Sequence, residues 1–208
     1  RDLAVSAASR RSAEGAVVEY ILVGTDVTAR RLDEARRATE YAVARALTDE
    51  QSEKEAIERI LRTICSVLGW ECGVYRVFDP GSRLVSCPYA RSKSTPALRT
   101  LLQPPGAPRQ LRASTMYWRT VESRYPQWDN DLPARVSSGL RPMLVEADIC
   151  SAISIPVQAG ERFLGALQFF GRSHQRPENV LIEAMQAIGH QVGQFIERKR
   201  VEAERKQA

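Results

Sequence analysis

Ser151-Ala152-Ile153-Ser154-Ile155-Pro156-Val157, a turn at Ala159-Gly160-Glu161, and Phe163-Leu164-Gly165-Ala166-Leu167-Gln168-Phe169-Phe170 together decide the fold. Two β-rich runs around a glycine-centred turn read as an antiparallel hairpin. Alternation puts Ile153, Ile155 and Val157 on one face, and Ala152, Ser154 and Pro156 on the other. Phe163, Gly165, Leu167 and Phe169 alternate in the same way with Leu164, Ala166, Gln168 and Phe170. The polar members, Ser154 and Gln168, can share the less apolar face, which is the better candidate to line a pocket. After this hairpin, residues 177–206 read as one long helix. Pro177 is tolerated in its first turn. Leu181, Met185, Ile188, Val192 and Phe195 repeat at four- and three-residue steps, and beyond Ile196 the sequence is almost wholly charged. Its first part is suited to packing on an α+β unit and the rest to leaving that unit as a rod.

Upstream of the hairpin the periodicity changes. Residues 29–47 read as a helix whose stripe of Leu32, Ala35, Thr39, Ala42, Val43, Ala46 and Leu47 is closer to a coiled-coil seam than to a deep core face. Residues 52–69 form a second helix with a wide apolar face (Ala56, Ile57, Ile60, Leu61, Ile64, Val67, Leu68) and a stop at Gly69. Trp70 to Phe78 reads as a strand, Asp79-Pro80-Gly81-Ser82 as a turn, and Arg83 to Tyr89 as the returning strand. Residues 90–135 are the least regular. Short helices are expected near 96–102 and 114–121, a proline-enforced loop at 104–108, an extended piece at 127–131, and a helical turn at 134–139. Loops set over a sheet are where small-molecule pockets are usually built. Near the start, Val17 to Val23 is a strand with glycines outside it, and Asp26 and Thr28 offer N-cap oxygens to the helix that follows. A lone strand needs a partner. It is therefore either the last strand of a domain lying upstream or a strand that borrows one.

Composition narrows the classes. The chain has 208 residues, 43% of them apolar, which suits one domain plus extra elements. No apolar run reaches the roughly 20 residues that span a bilayer, and no signal-peptide pattern opens the chain. We therefore expect no membrane contact in this segment and a cytoplasmic setting, with any anchor elsewhere in a longer protein. The net charge of +5, from 30 basic and 25 acidic residues, is spread over helix faces rich in both signs. That pattern reads as solvated surface and not as a nucleic-acid stripe. The chain begins without Met and ends inside a helical pattern, so it is expected to be part of a longer protein.

Candidate functional residues are few, and none forms a catalytic constellation. Tyr75, Tyr89, Trp118 and Trp128 can wall a ligand pocket or simply fill a core; Ser154 and Gln168 can supply its polar lining. Asp129-Asn130-Asp131 reads as a capped turn more than as a cation site. Cys65, Cys72, Cys87 and Cys150 fit no zinc spacing and read as reduced core thiols. A thiol enzyme would need an exposed, low-pKa cysteine with a resolving partner, and Cys65 and Cys72 sit on apolar elements. His190, in the last helix, reads as solvent- or dimer-facing and not as a haem ligand; His174 lies in a charged turn.

The order of these pieces resembles a GAF domain of bacterial signalling proteins. The resemblance is carried by Gly73-Val74-Tyr75-Arg76-Val77-Phe78, Tyr117-Trp118-Arg119-Thr120, Pro126-Gln127-Trp128-Asp129-Asn130-Asp131-Leu132, Gly139-Leu140, the 151–170 hairpin and Ile188-Gly189-His190-Gln191-Val192-Gly193. It implies an antiparallel sheet of five or six strands, with incoming and exit helices on one face and loops and short helices on the other. Val17-Val18-Glu19-Tyr20 to Gly24-Thr25-Asp26-Val27-Thr28 resembles the end of a PAS domain. The implied boundaries are a PAS remnant at 1–28, a linker helix at 29–48, a GAF domain at 49–197 and the start of an exit linker at 198–208. The implied function is a regulatory sensor module, not an enzyme, relaying ligand binding or dimerisation through parallel helices of a homodimer to flanking domains. Two alternatives stand beside it: a ligand-free dimerisation spacer, and a GAF-fold thiol enzyme of the free methionine sulfoxide reductase type. The polar motif of cyclic-nucleotide-binding relatives is absent, as is the Cys-His pair of bilin-binding ones, and Arg112-Ala113-Ser114-Thr115-Met116-Tyr117 stands where many GAF domains have a Gly-Leu-Pro-Gly-like run before the tryptophan. No haem or bilin is expected.

Overall fold

The computed structural model describes residues 3–13, 17–49, 52–79, 84–92, 109–110, 115–136, 141–172 and 179–207. They fall into two units, Arg1–Arg37 and Ala38–Ala208. In the first, strand β1 (Leu3–Arg11) pairs antiparallel with β2 (Val17–Asp26), with a register shift between Arg10 and Arg11. The strand expected at 17–23 thus finds its partner within the chain, in a run of alanines and serines with little β preference of its own. The register puts Leu3, Val5, Tyr20 and Leu22 on one face of this ribbon, and all four are exposed. Asp26 Oδ1 accepts a hydrogen bond from the Thr28 backbone N–H at 3.0 Å. It thereby opens helix α1 (Thr28–Asp49), which begins in this unit and ends in the next.

The second unit continues with α2 (Glu53–Leu68), β3 (Cys72–Asp79), β4 (Leu84–Ser92), the two-residue β5 (Arg109–Gln110), α3 (Met116–Ser123), β6 (Gln127–Asp129), α4 (Leu132–Arg135), α5 (Arg141–Glu146), β7 (Ser151–Ala159), β8 (Arg162–Gly171) and α6 (Asn179–Gln207). The six strands form one sheet in the order β5-β4-β3-β8-β7-β6, and every neighbouring pair is antiparallel. This is the α+β architecture that the sequence implies. β7 and β8 turn on Gly160 and Glu161, where Gly160 takes φ +57°. The helix expected at 96–102 and the loop at 104–108 lie outside the described residues.

One face of the sheet carries the main core. Ile153, Ile155 and Val157 of β7 and Leu167 and Phe169 of β8 meet α2, α6 and the second half of α1 in one buried cluster. α2 is capped at both ends: Ser52 Oγ accepts from the Glu55 N–H at 3.2 Å, and Gly69, the stop expected from the sequence, closes it at φ +74°. The N-cap is worth about 1 kcal/mol, whereas each fully buried Ile or Leu contributes roughly 1.5–3 kcal/mol. Ile57, Ile60, Leu61 and Ile64 are all fully buried, so burial holds this helix in place far more than its cap does.

The α1 stripe, read from sequence as closer to a coiled-coil seam, turns inward, and the apolar stripe of α6 packs on the domain as its sequence suggests. Thr39, Val43 and Ala46 of α1 and Met185, Ile188, Val192 and Phe195 of α6 are all buried within their own protomer. The reason is local: the sheet offers a wide apolar face directly beneath both helices.

The other face is covered by α3, α4 and α5. Cys72, Val74, Cys87, Ala152 and Phe170 pack there under Met116, Leu132 and Leu144. Of the helical turn expected at 134–139, residues 137–139 lie outside the described residues; the described turn is Leu132–Arg135, where Pro133 falls in the first turn. No helix among the described residues is long and apolar enough to cross a membrane.

Candidate functional site

Strand pairing divides the six expected pocket residues between the two faces. Ser154 lies opposite Gln168 in the β7–β8 ladder, so the two share the loop-side face, as alternation predicts. Both are buried. Tyr75 and Tyr89 are also opposite one another, in the β3–β4 ladder, with rings stacked at 6.2 Å. They belong to the helix-side core, as does Trp128, which stands edge-on to Trp70 at 5.3 Å. The Trp128 Nε1 donor is buried without an acceptor among the described residues. Trp118, half-buried on α3, packs edge-on against Phe78 at 6.3 Å. Residue type alone left these aromatics as pocket walls or as core; the pleat puts Tyr75, Tyr89 and Trp128 beneath the helices and leaves Ser154 and Gln168 under α3.

Helix α3 is held over that face by its own cap and by two polar contacts. Thr115 Oγ1 accepts from the Trp118 N–H at 3.2 Å. Thr120 Oγ1 donates to the Met116 carbonyl at 3.0 Å and lies 2.8 Å from Ser154 Oγ. The Tyr117 hydroxyl donates to the Arg76 carbonyl at 3.3 Å. Burial pushes the Tyr117 hydroxyl pKa upward against the opposing effect of Arg76, so it remains a neutral donor.

Arg76 is the functional candidate that aromatic and polar patterning missed. It sits on β3, one of the two central strands of the sheet, in phase with Val74 and therefore on the loop side. Its guanidinium Nε donates to Gln168 Oε1 at 2.8 Å. Because Gln168 accepts through its oxygen, its remaining amide atom, Nε2, is a donor. The signal was an arginine inside an otherwise apolar strand, Gly73-Val74-Tyr75-Arg76-Val77-Phe78.

The other chemistry-bearing groups are committed to structure. Asp129 is buried between Arg119 (2.7 Å) and Arg135 (3.5 Å), a pairing suited to fixing α3 and α4 to the edge strand and not to holding a cation. Cys65, Cys72 and Cys87 are buried and Cys150 half-buried. Desolvation pushes the thiols of Cys72, Cys87 and Cys150 upward, which is opposite to what a nucleophilic thiolate needs. No group of metal-ligating side chains occurs among the described residues. His190 Nε2 lies 3.3 Å from Gln158 Nε2, so the ring nitrogen accepts there from the amide. His174 lies outside the described residues.

On the opposite side of β7, helix α6 comes unusually close. A Cβ on Gly189 would stand 2.1 Å from the Pro156 carbonyl oxygen, and one on Gly193 2.2 Å from that of Gln158. Only glycine lets the helix backbone rest on the strand at these two points. Further along, Arg162 at the start of β8 forks onto Glu197 at 2.9 and 3.0 Å.

Known structures share this arrangement. The GAF domain of a phosphoenolpyruvate-protein phosphotransferase from Coxiella burnetii superposes with a TM-score of 0.68 at 12% identity, covering 82% of this chain and 98% of its own. The phycoerythrobilin-bound GAF domain of a cyanobacterial phytochrome gives 0.63 at 12%, covering 82% and 99%. Free methionine-R-sulfoxide reductase from Neisseria meningitidis, in complex with its substrate, gives 0.61 at 13%, covering 93% and 97%. At these identities the likeness is one of fold. No curated protein matches the chain. The family model for the GAF domain matches residues 50–197, and the chain belongs to the GAF domain family.

Proposed function

We propose that this chain is a regulatory sensor module of a bacterial signal-transduction protein. In this reading a small molecule bound on the loop side of the sheet biases the position of the exit helix. The observation that carries it is the double engagement of β7. On one face Ser154 touches Thr120 of α3; on the other the Pro156 and Gln158 carbonyls touch α6 at Gly189 and Gly193. One strand therefore separates the candidate site from the output helix. A ligand acts here by binding one helix position better than another; equal affinity would transmit nothing.

The same reading places the module in the cytoplasm as a homodimer that joins its neighbours through α1 and α6. The β1–β2 ribbon serves as the end of an upstream PAS-like domain. Two strands with Leu3, Val5, Tyr20 and Leu22 exposed are marginal alone in water, which supports a covered role for them in the longer protein. A second reading, a ligand-free spacer, is favoured by the packing of Met116, Leu132 and Leu144 directly onto the loop face.

Native mass spectrometry of the purified chain separates the two readings. A dimer that retains a small molecule, or that gains one from a metabolite extract, supports the sensor. A dimer that takes up nothing across the extract supports the spacer. A monomer at micromolar concentrations removes the homodimer from both.

A further inference from the structure

We propose that the first two residues of β8 couple helix α3 to the end of α6, and that they set how far helical order runs past the sheet. This rests on the sensor reading above and names how its output is regulated. Arg162 and Phe163 are consecutive, so the pleat sends them to opposite faces. On the helix side, Arg162 Nη1 donates to both carboxylate oxygens of Glu197, at 2.9 and 3.0 Å. On the loop side, Phe163 stands edge-on to Tyr117 of α3 at 6.3 Å. The guanidinium of Arg124, the residue that ends α3, lies 4.7 Å above the same ring. Arg124 keeps this place at φ +56°, in the left-handed region that costs a non-glycine residue energy. A shift of α3 therefore acts on Phe163, and through it on the neighbouring residue that grips α6.

Glu197 is where α6 leaves the domain. Ile196 is the last buried residue of the helix. Among the described residues, no hydrogen bond or ion pair joins the helix beyond Glu197 to another element; Lys199 pairs with Glu202 and Arg200 with Glu204, within the helix itself. Residues 198–207 remain, and a helical segment so short is marginal in water because nucleation is costly. Its order depends on the turn it grows from, and the Arg162–Glu197 contact fastens that turn. An exposed ion pair adds little to global stability. Here it acts on an end whose helical and frayed states lie close in free energy, where a small bias changes the populations. The helix end is thus a two-state element that Arg162 biases from one face and Phe163 from the other.

Hydrogen–deuterium exchange of the full chain, read by mass spectrometry, tests this. Arg162→Gln should speed exchange over residues 198–207 by about two- to fivefold, the range of one exposed ion pair, and leave residues 181–192 unchanged. Reversing both charges, Arg162→Glu with Glu197→Arg, should restore the wild-type rate. Phe163→Leu, on the loop side, should speed the same amides and add little to Arg162→Gln, since both act through one contact. If Phe163→Leu does not fold, Arg124→Gln takes its place. Unchanged exchange in Arg162→Gln, no rescue by the reversed pair, loosening along the whole of α6, or independent effects of the two single variants would each overturn the proposal. Its failure is distinguishable from that of the sensor reading. Native mass spectra without a retained molecule remove the ligand and leave this exchange pattern standing. A retained ligand in a chain whose α6 end ignores Phe163 removes only the coupling.

Discussion

The hydroxyl of Thr120 has one hydrogen, and the Met116 carbonyl and Ser154 Oγ both lie within reach of it. Ser154 therefore donates back whenever Thr120 bonds its own helix, and the pair closes on itself inside the protein. Thr120→Val should leave Ser154 buried without its partner and cost about 1–3 kcal/mol in urea unfolding. The double variant with Ser154→Ala should recover part of that loss, and strict additivity would show that the pair is not coupled. Glu53 offers a second test. Desolvation raises its carboxyl pKa above the ordinary 4.5, although a hydrogen bond from Tyr89 opposes this. A raised folded-state value means that the folded chain holds the proton more tightly. Its stabilising contribution is present below about pH 4.5 and is lost as pH rises through the folded value. Glu53→Gln should gain on the wild type in urea midpoint between acid and neutral pH, and parallel profiles would refute the shift. At this scale the sequence was legible where a single strand suffices. Alternation alone put Ser154 beside Gln168. It could not place Tyr75, Tyr89 or Trp128, because the face of an aromatic in another strand depends on inter-strand register. Nor did it single out Arg76, whose side chain matters only once β3 is known to be central.

At the scale of elements, the contact of α6 with β7 invites the plainest perturbation. Alanine favours a helix by about 1 kcal/mol over glycine, so a free helix would gain from Gly193→Ala. Here the added methyl would meet the Gln158 backbone, which cannot step aside as a side-chain tip can. Overpacking of this kind typically costs 1–3 kcal/mol. We expect Gly189→Ala and Gly193→Ala each to lower the melting temperature, and a rise would show that the helix stands off the sheet. The long periodic elements α2, α6, β7 and β8 were readable because their burial pattern repeats over many residues. Helix α5 was not, since Arg141–Glu146 is too short to show a period, although its Leu144 is fully buried. β1 was hidden for a different reason: its alanines and serines have little strand preference, and pairing with β2 sets its conformation.

For the whole molecule, the inward turn of the α1 stripe changes where a partner can bind. Periodicity shows that a helix has an apolar face; it does not show whether the chain itself or a second copy covers it. With Val43 and Ala46 consumed internally, the outward side of α1 presents Ala38 and Tyr41, the latter 67% exposed. If the proposed homodimer uses this side, Tyr41→Glu should convert dimer to monomer in sedimentation velocity at micromolar concentrations. An unchanged mass would move the contact off α1. The glycine contact bears on the size of any signal. From Gly193 to Gln207 the helix runs for roughly 21 Å at 1.5 Å per residue, with side-chain attachment to the sheet at Glu197 near its start. Geometrically this is a lever with its fulcrum at one end. A tilt of about 5° at the glycines, small enough to be absorbed by shifts of a few tenths of an ångström at β7, displaces the far end by roughly 2 Å over that length.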